Sequence, residues 1–215
     1  MNFTRRKVAV IHSPAYSIRT GRLWIRCYQP SDATLLKEAI DASLDQLRPW
    51  LPWAEREPEE LEAKIERLRR FRGEFDLGQN FTYGAFAPDG SRLLGGTGLH
   101  PRIGEGGLEI GYWLRTGETG KGYMTETVSA LIKVAFTIHK VERVEIHCDA
   151  ANDRSAAVPR RLGFRREASL RRNGRDGKGD RKEELIWVLF NDEYENSSLA
   201  EFPVDAYDVL GRKIL

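Results

Sequence analysis

A strand pattern that ends in a glycine-rich turn and then becomes a helix pattern constrains this chain more than any other feature. The segment spans residues 107–127 and reads GLEIGYWLRTGETGKGYMTET. Its first half alternates apolar side chains with polar or small ones, at the period of two that a β-strand requires. The apolar residues then recur at helical spacing as far as about Lys140: Met124, Val128, Leu131, Ile132 and Ala135. The sequence therefore predicts a strand, a turn and a helix in direct succession.

The turn is suited to bind a phosphate or pyrophosphate group. Gly117, Gly120 and Gly122 can adopt backbone conformations that other residues avoid, and they can expose successive N–H groups. The following helix adds unpaired N–H groups and the positive end of its dipole. The alternative interpretation is an ordinary strand-to-helix loop.

Two nucleotide-binding signatures are absent from the sequence. In the Walker A pattern, Arg115 stands where the first glycine belongs, and a glycine follows the lysine in place of serine or threonine. The GxGxxG pattern fails because Gly98 is followed by leucine, histidine and proline. Nucleotide hydrolysis and dinucleotide redox chemistry are therefore not expected.

Composition narrows the function classes further. A length of 215 residues suits one domain. The 34 basic and 32 acidic residues give a net charge of +2, so the charge of the whole chain does not indicate nucleic-acid binding. The locally basic stretch 160–181 is either a solvated edge or an anion-facing rim.

Cys27 and Cys148 lack metal-ligand spacing and are interpreted as reduced core thiols. No stretch approaches the ~20 apolar residues of a membrane span. We expect a soluble, cytoplasmic protein without a metal site.

Patterning along the rest of the chain predicts helices and strands around the central segment. The predicted elements are a loose leader at 1–17, a strand at 18–27, a helix from 30 to about 49, a helix at 58–72 stopped by Gly73, a hairpin of strands 81–87 and 92–99, a strand at 144–148, a short helix that starts near Asn152 and is kinked or begun by Pro159, a strand pair at 165–171 and 184–190 joined by loop 173–180, and a tail at 191–215 without a firm assignment.

Four motifs in this order resemble the GNAT superfamily of N-acyltransferases, and more closely its RimJ/RimL branch. They are EIGYWL at 109–114, the turn at 119–125, NxxSxxVPxxLGF at 152–164 and RPWLPW at 48–53. In the superfamily the turn reads [QR]-x-x-G-x-[GA]; here Gly122 matches, while Thr119 and Met124 take the outer positions.

The resemblance covers residues 18–190 and implies an α+β fold in three layers. Its centre would be a mixed, mostly antiparallel sheet flanked by helices, with a splayed parallel strand pair that holds acyl-CoA. Acetyl-CoA would be the cosubstrate. The residues implied to bind it are Tyr112, Trp113, Leu114, Thr119, Gly120, Lys121, Gly122, Tyr123, Met124, Thr125 and Asn152.

The resemblance also implies catalytic roles. Ser155 matches the residue that protonates the departing thiolate in RimL-like enzymes, and Pro159 stands where many superfamily members carry a tyrosine for that purpose. Glu167 matches the proposed general base, with Glu109 as its rival. Each of these side chains could instead be an ordinary helix or surface group.

Trp50, Trp53 and His100 are the candidate contacts for the acceptor, the two tryptophans as an aromatic wall or, alternatively, as a lid over the core. An α-amine with a pKa of ~8 is partly neutral at pH 7, whereas lysine at ~10.4 requires a further ~3 kcal/mol of deprotonation.

We therefore expect an N-acetyltransferase that acts on the α-amine of a protein N-terminus, an amino acid or an aminoacyl conjugate. The alternatives are a detoxifying acetyltransferase for an amine-bearing antibiotic or aminoacyl nucleotide, and a catalytically silent acyl-CoA-binding module. A monomer and a homodimer both remain open.

Overall fold

The computed structural model describes the backbone of residues 14–175 and 181–215 and the side chains of 14–171 and 183–215. Most of the predicted leader and the centre of the predicted loop at 173–180 lie outside these ranges. The strands in chain order are β1 Ser17–Arg19, β2 Trp24–Cys27, β3 Phe81–Phe86, β4 Leu93–His100, β5 Gly107–Leu114, β6 Arg143–Asp149, β7 Arg165–Arg175, β8 Arg181–Phe190 and β9 Asp205–Tyr207. The helices in the same ranges are α1 Ala33–Asp41, α2 Leu44–Leu47, α3 Leu61–Asp76, α4 Tyr123–Val134, α5 Asp153–Arg161 and α6 Asn191–Glu195.

The described strands form one sheet in the order β7-β8-β6-β5-β4-β3-β2-β1-β9. Strands β5 and β6 run parallel, and the other neighbouring strands of this sheet pair antiparallel. The parallel pairing extends only from Gly107 to Glu109 on β5, whereas the pairing of β5 with β4 continues to Leu114. Beyond Glu109, β5 and β6 therefore separate and leave a gap inside the sheet.

Helices cover both faces of the sheet. On one face, Leu108 and Ile110 of β5 are buried in the same apolar cluster as Val128 and Leu131 of α4. On the other face, α1 and α3 pack in a second cluster, to which Trp113 contributes. The alternation predicted for β5 is therefore observed, and the three-layer α+β fold with a mixed, mostly antiparallel sheet is confirmed.

The N-terminal third differs from the predicted elements in two places. The single strand predicted at 18–27 is a pair of antiparallel strands, β1 and β2. The first helix breaks after Asp41, because Ser43 leaves the helical conformation and its buried hydroxyl bonds one local and one distant partner. This hydroxyl donates to Ala39 O at 2.7 Å and accepts from Thr116 N at 2.9 Å, so it joins the helix end to the glycine-rich turn.

Helix α3 begins and ends later than predicted. It starts at Leu61 and runs to Asp76, so Gly73 lies inside the helix and is not its stop. A glycine inside a helix costs ~1 kcal/mol relative to alanine. The extra turn buries Phe75 completely, and that burial contributes ~2 kcal/mol, which offsets the cost.

The C-terminal part extends the sheet at both of its ends. Strands β7 and β8 are longer than predicted and reach Arg175 and Arg181. The tail, for which the sequence predicts no element, contains α6 and β9, and β9 pairs with β1. The domain boundaries at 18 and 190 stay a prediction.

A buried ionic cluster holds the loop between α2 and α3. The side chains of Lys64 and Glu57 are fully buried and form a hydrogen-bonded ion pair. Arg67 donates to Glu57 Oε1 at 2.9 Å and also pairs with Glu59. Arg48 donates to the carbonyl oxygen of Glu57 at 2.7 Å. These bonds tie the loop, including its two tryptophans, to α3.

Glu57→Gln should lower the free energy of unfolding by roughly 3 kcal/mol, because removing one partner of a buried pair leaves the other charge without compensation. Urea unfolding measures the change. Glu66→Gln is the control, since Glu66 lies 3.9 Å from Arg69 and both side chains are exposed; a change within ~0.5 kcal/mol is expected there. Equal small effects in both variants would show that the cluster does not anchor the loop.

Candidate active site

The gap between β5 and β6 opens into a cleft of about 780 Å³. Its walls come from the ends of β5 and β6, the glycine-rich turn, the starts of α4 and α5, and the residues around α2. The predicted cofactor residues that line it are Tyr112, Trp113, Leu114, Thr119, Gly120, Gly122, Tyr123, Met124, Thr125 and Asn152. Fold topology therefore brings the predicted strand, turn and helix start together with the predicted Asn152 cap.

Two backbone N–H groups of β5 point into the cleft. Arg115 N donates to Leu94 O of β4 at 2.7 Å. Because successive residues of a strand direct their backbone groups to opposite sides, the N–H groups of Leu114 and Tyr112 face away from β4. The carbonyl oxygen of Leu114 faces the same way and accepts from Gln46 Nε2 at 3.1 Å. These donors lie where a polarised carbonyl could be bound.

The glycine-rich turn is held in place by a buried carboxylate. Gly120 and Gly122 have φ angles of +78° and +81°, which side-chained residues rarely adopt. Glu118 is buried and pairs with Arg92 at 2.8 Å and with Lys121 at 2.9 Å. The ammonium group of Lys121 is therefore bound to the turn itself, and Lys121 does not line the cleft.

Ser155 and Tyr112 form a hydrogen-bonded pair in the cleft. Tyr112 OH donates to Ser155 O at 2.9 Å, and Ser155 Oγ donates to Tyr112 OH at 3.3 Å. That carbonyl is free because Pro159, four residues later and inside α5, has no N–H to donate. Asn152 caps α5 by accepting from Ser155 N at 3.0 Å. Burial raises the pKa of Tyr112, so its hydroxyl stays protonated at neutral pH.

Glu109 and His147 lie on the opposite side of the cleft from α4. Glu109 is buried, and Arg102 binds both of its oxygens, with Nε at 2.7 Å from Oε2. Burial raises the pKa of Glu109, but the hydrogen bonds and charge of Arg102 lower it more, so the net pKa is below its ordinary value. Nδ1 of His147 is 4.0 Å from Glu109 Oε2. Glu109 is therefore held as a carboxylate.

The remaining predicted site residues are divided between this cleft and other parts of the structure. Glu167 lines a separate pocket of about 540 Å³ together with Arg160 and Arg166. Trp50 lines the main cleft and is 38% exposed, whereas Trp53 packs edge-on against Trp113 with ring centroids 6.1 Å apart.

His100 is also outside the residues that line the cleft. Its Nδ1 lies 2.6 Å from Asn80 Oδ1. The ring occupies the space that a Cβ on Gly98 would need. Burial, reinforced by the charge of Arg102, lowers the pKa of His100 to about 4.

Sequence reasoning missed Gln46, Arg102 and His147, which all line the cleft. His147 shares a strand face with Glu145 and Asp149, and that alternation was a usable signal. Gln46 and Arg102 belong to a helix turn and a loop, and nothing local in the sequence indicates that they meet β5.

The family model described as "Acetyltransferase (GNAT) domain" matches residues 22–165. The chain belongs to this GNAT acetyltransferase family. The match covers the separated strands, the turn, α4 and α5, and an acetyltransferase of this family takes its acetyl group from acetyl-CoA. The resemblance to the RimJ/RimL branch is confirmed, and the chain is an N-acetyltransferase.

Two similar proteins support this assignment, and one solved structure shares the fold. YdaF of Bacillus subtilis (strain 168), named as a ribosomal N-acetyltransferase, is 33% identical over 150 residues, which are 68% of this chain and 80% of YdaF. The [ribosomal protein uS5]-alanine N-acetyltransferase of Escherichia coli (strain K12) is 26% identical over 72% of this chain and 80% of its own length. The solved structure of RimL, a ribosomal L7/L12 alpha-N-protein acetyltransferase in complex with coenzyme A, has a TM-score of 0.71 at 21% identity and covers 81% of this chain and 97% of that one.

Within residues 14–175 and 181–215, no group of three or more His, Cys, Asp or Glu side chains is placed to hold a metal ion. In the same described residues, no helix combines the length and apolar character needed to cross a bilayer.

The buried neutral state of His100 predicts an acid-sensitive stability. Its pKa is about 4 in the folded chain and ~6.5 unfolded, so the unfolded state binds the extra proton between these values. The contribution of neutral His100 to the free energy of unfolding is fully present above pH ~6.5. It is lost as pH falls towards 4, by up to ~1.4 kcal/mol per pH unit.

His100→Gln removes this titration and should flatten the curve of unfolding free energy against pH, measured with urea from pH 7.5 to 4.5. His139 has the same lowered pKa of about 4 through burial and stays unchanged, so part of the slope should persist. Identical slopes in variant and wild type would contradict the assignment of His100 as a buried neutral side chain.

Proposed function

We propose that this enzyme transfers the acetyl group of acetyl-CoA to the N-terminal α-amine of a protein, with ribosomal proteins as the substrate class. The observation that carries the proposal is the set of residues that line one cleft: the glycine-rich turn, Tyr112 and Leu114 of β5, Ser155, Glu109 and His147. YdaF and the uS5-alanine enzyme support the choice of substrate class through their names.

The residues present fit acetyl-CoA. Gly120 and Gly122 have left-handed backbone conformations next to the N-terminus of α4, whose unpaired N–H groups would bind a pyrophosphate. The gap between β5 and β6 would take the pantetheine arm, and Asn152 lies at its edge. Acetyl-CoA supplies the acetyl group and a thiolate leaving group; the N–H groups of Tyr112 and Leu114 would polarise the thioester carbonyl.

Ser155 is the proposed acid for the departing thiolate. Its hydroxyl lies in the cleft, 3.3 Å from Tyr112 OH, and also interacts with the Cys148 thiol. Tyr112 keeps its own proton and fixes the start of α5 by donating to Ser155 O. Tyr112 is thus a positioning residue for the serine, and the proton for the thiolate comes from Ser155 Oγ.

Of the two carboxylates proposed as base, Glu109 is the one in the cleft. Glu167 lies against Arg160 and Arg166 in a different pocket, so a role for it would require a bound substrate or a partner to bring the two sites together. Glu109 is ionised and faces the proposed acceptor side, where it would attract the positive charge of an approaching ammonium group.

Trp50 is the proposed aromatic contact for the acceptor peptide, because it combines exposure with a place on the cleft wall. Trp53 and His100 have partners in the protein and serve structure in this account. An α-amine fits the site better than lysine, since a modest base is sufficient for an amine with a pKa of ~8.

The substrate class is tested by thiol release from acetyl-CoA with matched peptides. A peptide with a free N-terminal alanine should be acetylated, whereas the same peptide with a blocked N-terminus and an internal lysine should react at least about 10²-fold more slowly in kcat/KM. Faster transfer to an amine-bearing antibiotic or aminoacyl nucleotide would favour the detoxifying alternative. No thiol release with any amine would favour the silent binding module.

Ser155→Ala should lower kcat by about 10²-fold while the dissociation constant of acetyl-CoA stays within a small factor, because the hydroxyl is needed only when the thiolate leaves. Stopped assays and calorimetry measure the two quantities. Ser169→Ala is the control, since Ser169 lines the pocket of Glu167 and not the cleft. Parallel loss of binding and turnover would reassign Ser155 to holding acetyl-CoA.

A further inference from the structure

His147 lies in the cleft and has no role in the motifs that indicate the family. It belongs to β6, and its side chain is 16% exposed. It lines the same cleft as Ser155 and Glu109, and its chain neighbour Cys148 lines it as well. A histidine in such a place can exchange a proton with a bound amine.

Glu145 determines which ring nitrogen of His147 carries a proton. Nε2 of His147 is 2.8 Å from Glu145 Oε2. Since a carboxylate can only accept a hydrogen bond, Nε2 is the donor, and the lone pair of the neutral ring is on Nδ1. Glu145 is held in turn by Arg143, whose Nε donates to Oε1 at 2.8 Å. The imidazole is therefore fixed in both orientation and tautomer.

The free lone pair of Nδ1 faces charged groups from neighbouring strands. Nδ1 is 4.0 Å from Glu109 Oε2 on β5 and 3.9 Å from Glu184 Oε2 on β8. These distances exceed a hydrogen bond, and a carboxylate has no proton to donate, so neither group occupies the lone pair. The other charged groups near the ring are Glu145, on the same strand, and Arg102, which is bound to Glu109.

Glu109 is a weaker candidate for taking up a proton. Arg102 binds both of its oxygens, and its pKa is below the ordinary value. A general base works best when its pKa is near the working pH. Nδ1 of His147 is occupied by neither neighbouring carboxylate, whereas both oxygens of Glu109 are bound by Arg102.

We propose that His147 Nδ1 accepts the proton from the attacking amine, with Glu145 as its positioning residue. The step rests on the proposed function. The amine nitrogen forms the C–N bond to the thioester carbon and gives a proton to Nδ1. The C–S bond breaks, its electron pair goes to sulfur, and sulfur takes the proton of Ser155 Oγ. The imidazolium carries one extra proton and the serine lacks one, so exchange through solvent restores both.

The test compares His147→Gln and Glu109→Gln with wild type, using acetyl-CoA and a peptide with N-terminal alanine over pH 5.5–9. His147→Gln should lower kcat/KM by about 10²-fold near pH 7.5 and leave acetyl-CoA binding by calorimetry unchanged within about threefold. The loss should shrink at acid pH, because the wild-type imidazole is then protonated as well. Glu109→Gln should retain the acid limb of the pH profile, because His147 is still present in that variant.

A readout without turnover accompanies the kinetics. In nitrogen-15 NMR of the free wild-type protein, the resonances absent from His147→Gln should show the Nε2–H tautomer, and Glu145→Gln should reduce its population. A proton on Nδ1 in the neutral ring would overturn the proposal.

The two proposals fail in different ways. If wild type releases no thiol with any α-amine, the proposed function is wrong, and this inference is wrong with it. If wild type turns over and His147→Gln keeps both its rate and its pH profile, the inference alone is wrong. Loss of the acid limb in Glu109→Gln but not in His147→Gln would assign the proton transfer to Glu109.

Discussion

The separation of β5 from β6 after Glu109 is the constraint on which the rest of the structure depends. Strand pairing normally satisfies backbone N–H groups, and an unpaired buried donor costs ~1–3 kcal/mol. Here the N–H groups of Tyr112 and Leu114 are left for a ligand, while Tyr112 OH binds the start of α5 and Leu114 O binds Gln46. Hydrogen bonds on both sides therefore hold the gap open. The unpaired N–H groups lower the stability of the fold, but the site is formed before its ligand binds.

Pro159 connects the helix sequence with this gap. A residue with an N–H at that position would close a helical bond to the Ser155 carbonyl, and Tyr112 OH would then have to share this acceptor. With proline, the carbonyl of Ser155 is free for Tyr112 OH, and the two hydroxyls stay adjacent. A feature that costs helix stability therefore positions the proposed acid.

Local patterns were sufficient to predict the centre of this fold but not its periphery. The strand, turn and helix at 107–127 and the Asn152 cap depend on periodicity and turn chemistry, which act over a few residues. The later start of α3 and the burial of Lys64 depend on ion pairs between Glu57, Lys64 and Arg67, which follow neither helical periodicity nor turn chemistry. Likewise, the meeting of His147 with Glu109 and the displacement of Glu167 to another pocket follow from strand order.

The glycine-rich turn beside the strand gap is proposed to hold acetyl-CoA, and a matched pair of glycine variants distinguishes this role from a purely structural one. Gly120 and Gly117 have similar φ angles, +78° and +86°, and a Cβ on either would meet nothing within 4 Å, but only Gly120 lines the cleft. Alanine at either position should cost ~1–2 kcal/mol of stability. Calorimetry with acetyl-CoA should show at least tenfold weaker binding for Gly120→Ala alone; wild-type affinity in both variants would contradict the account.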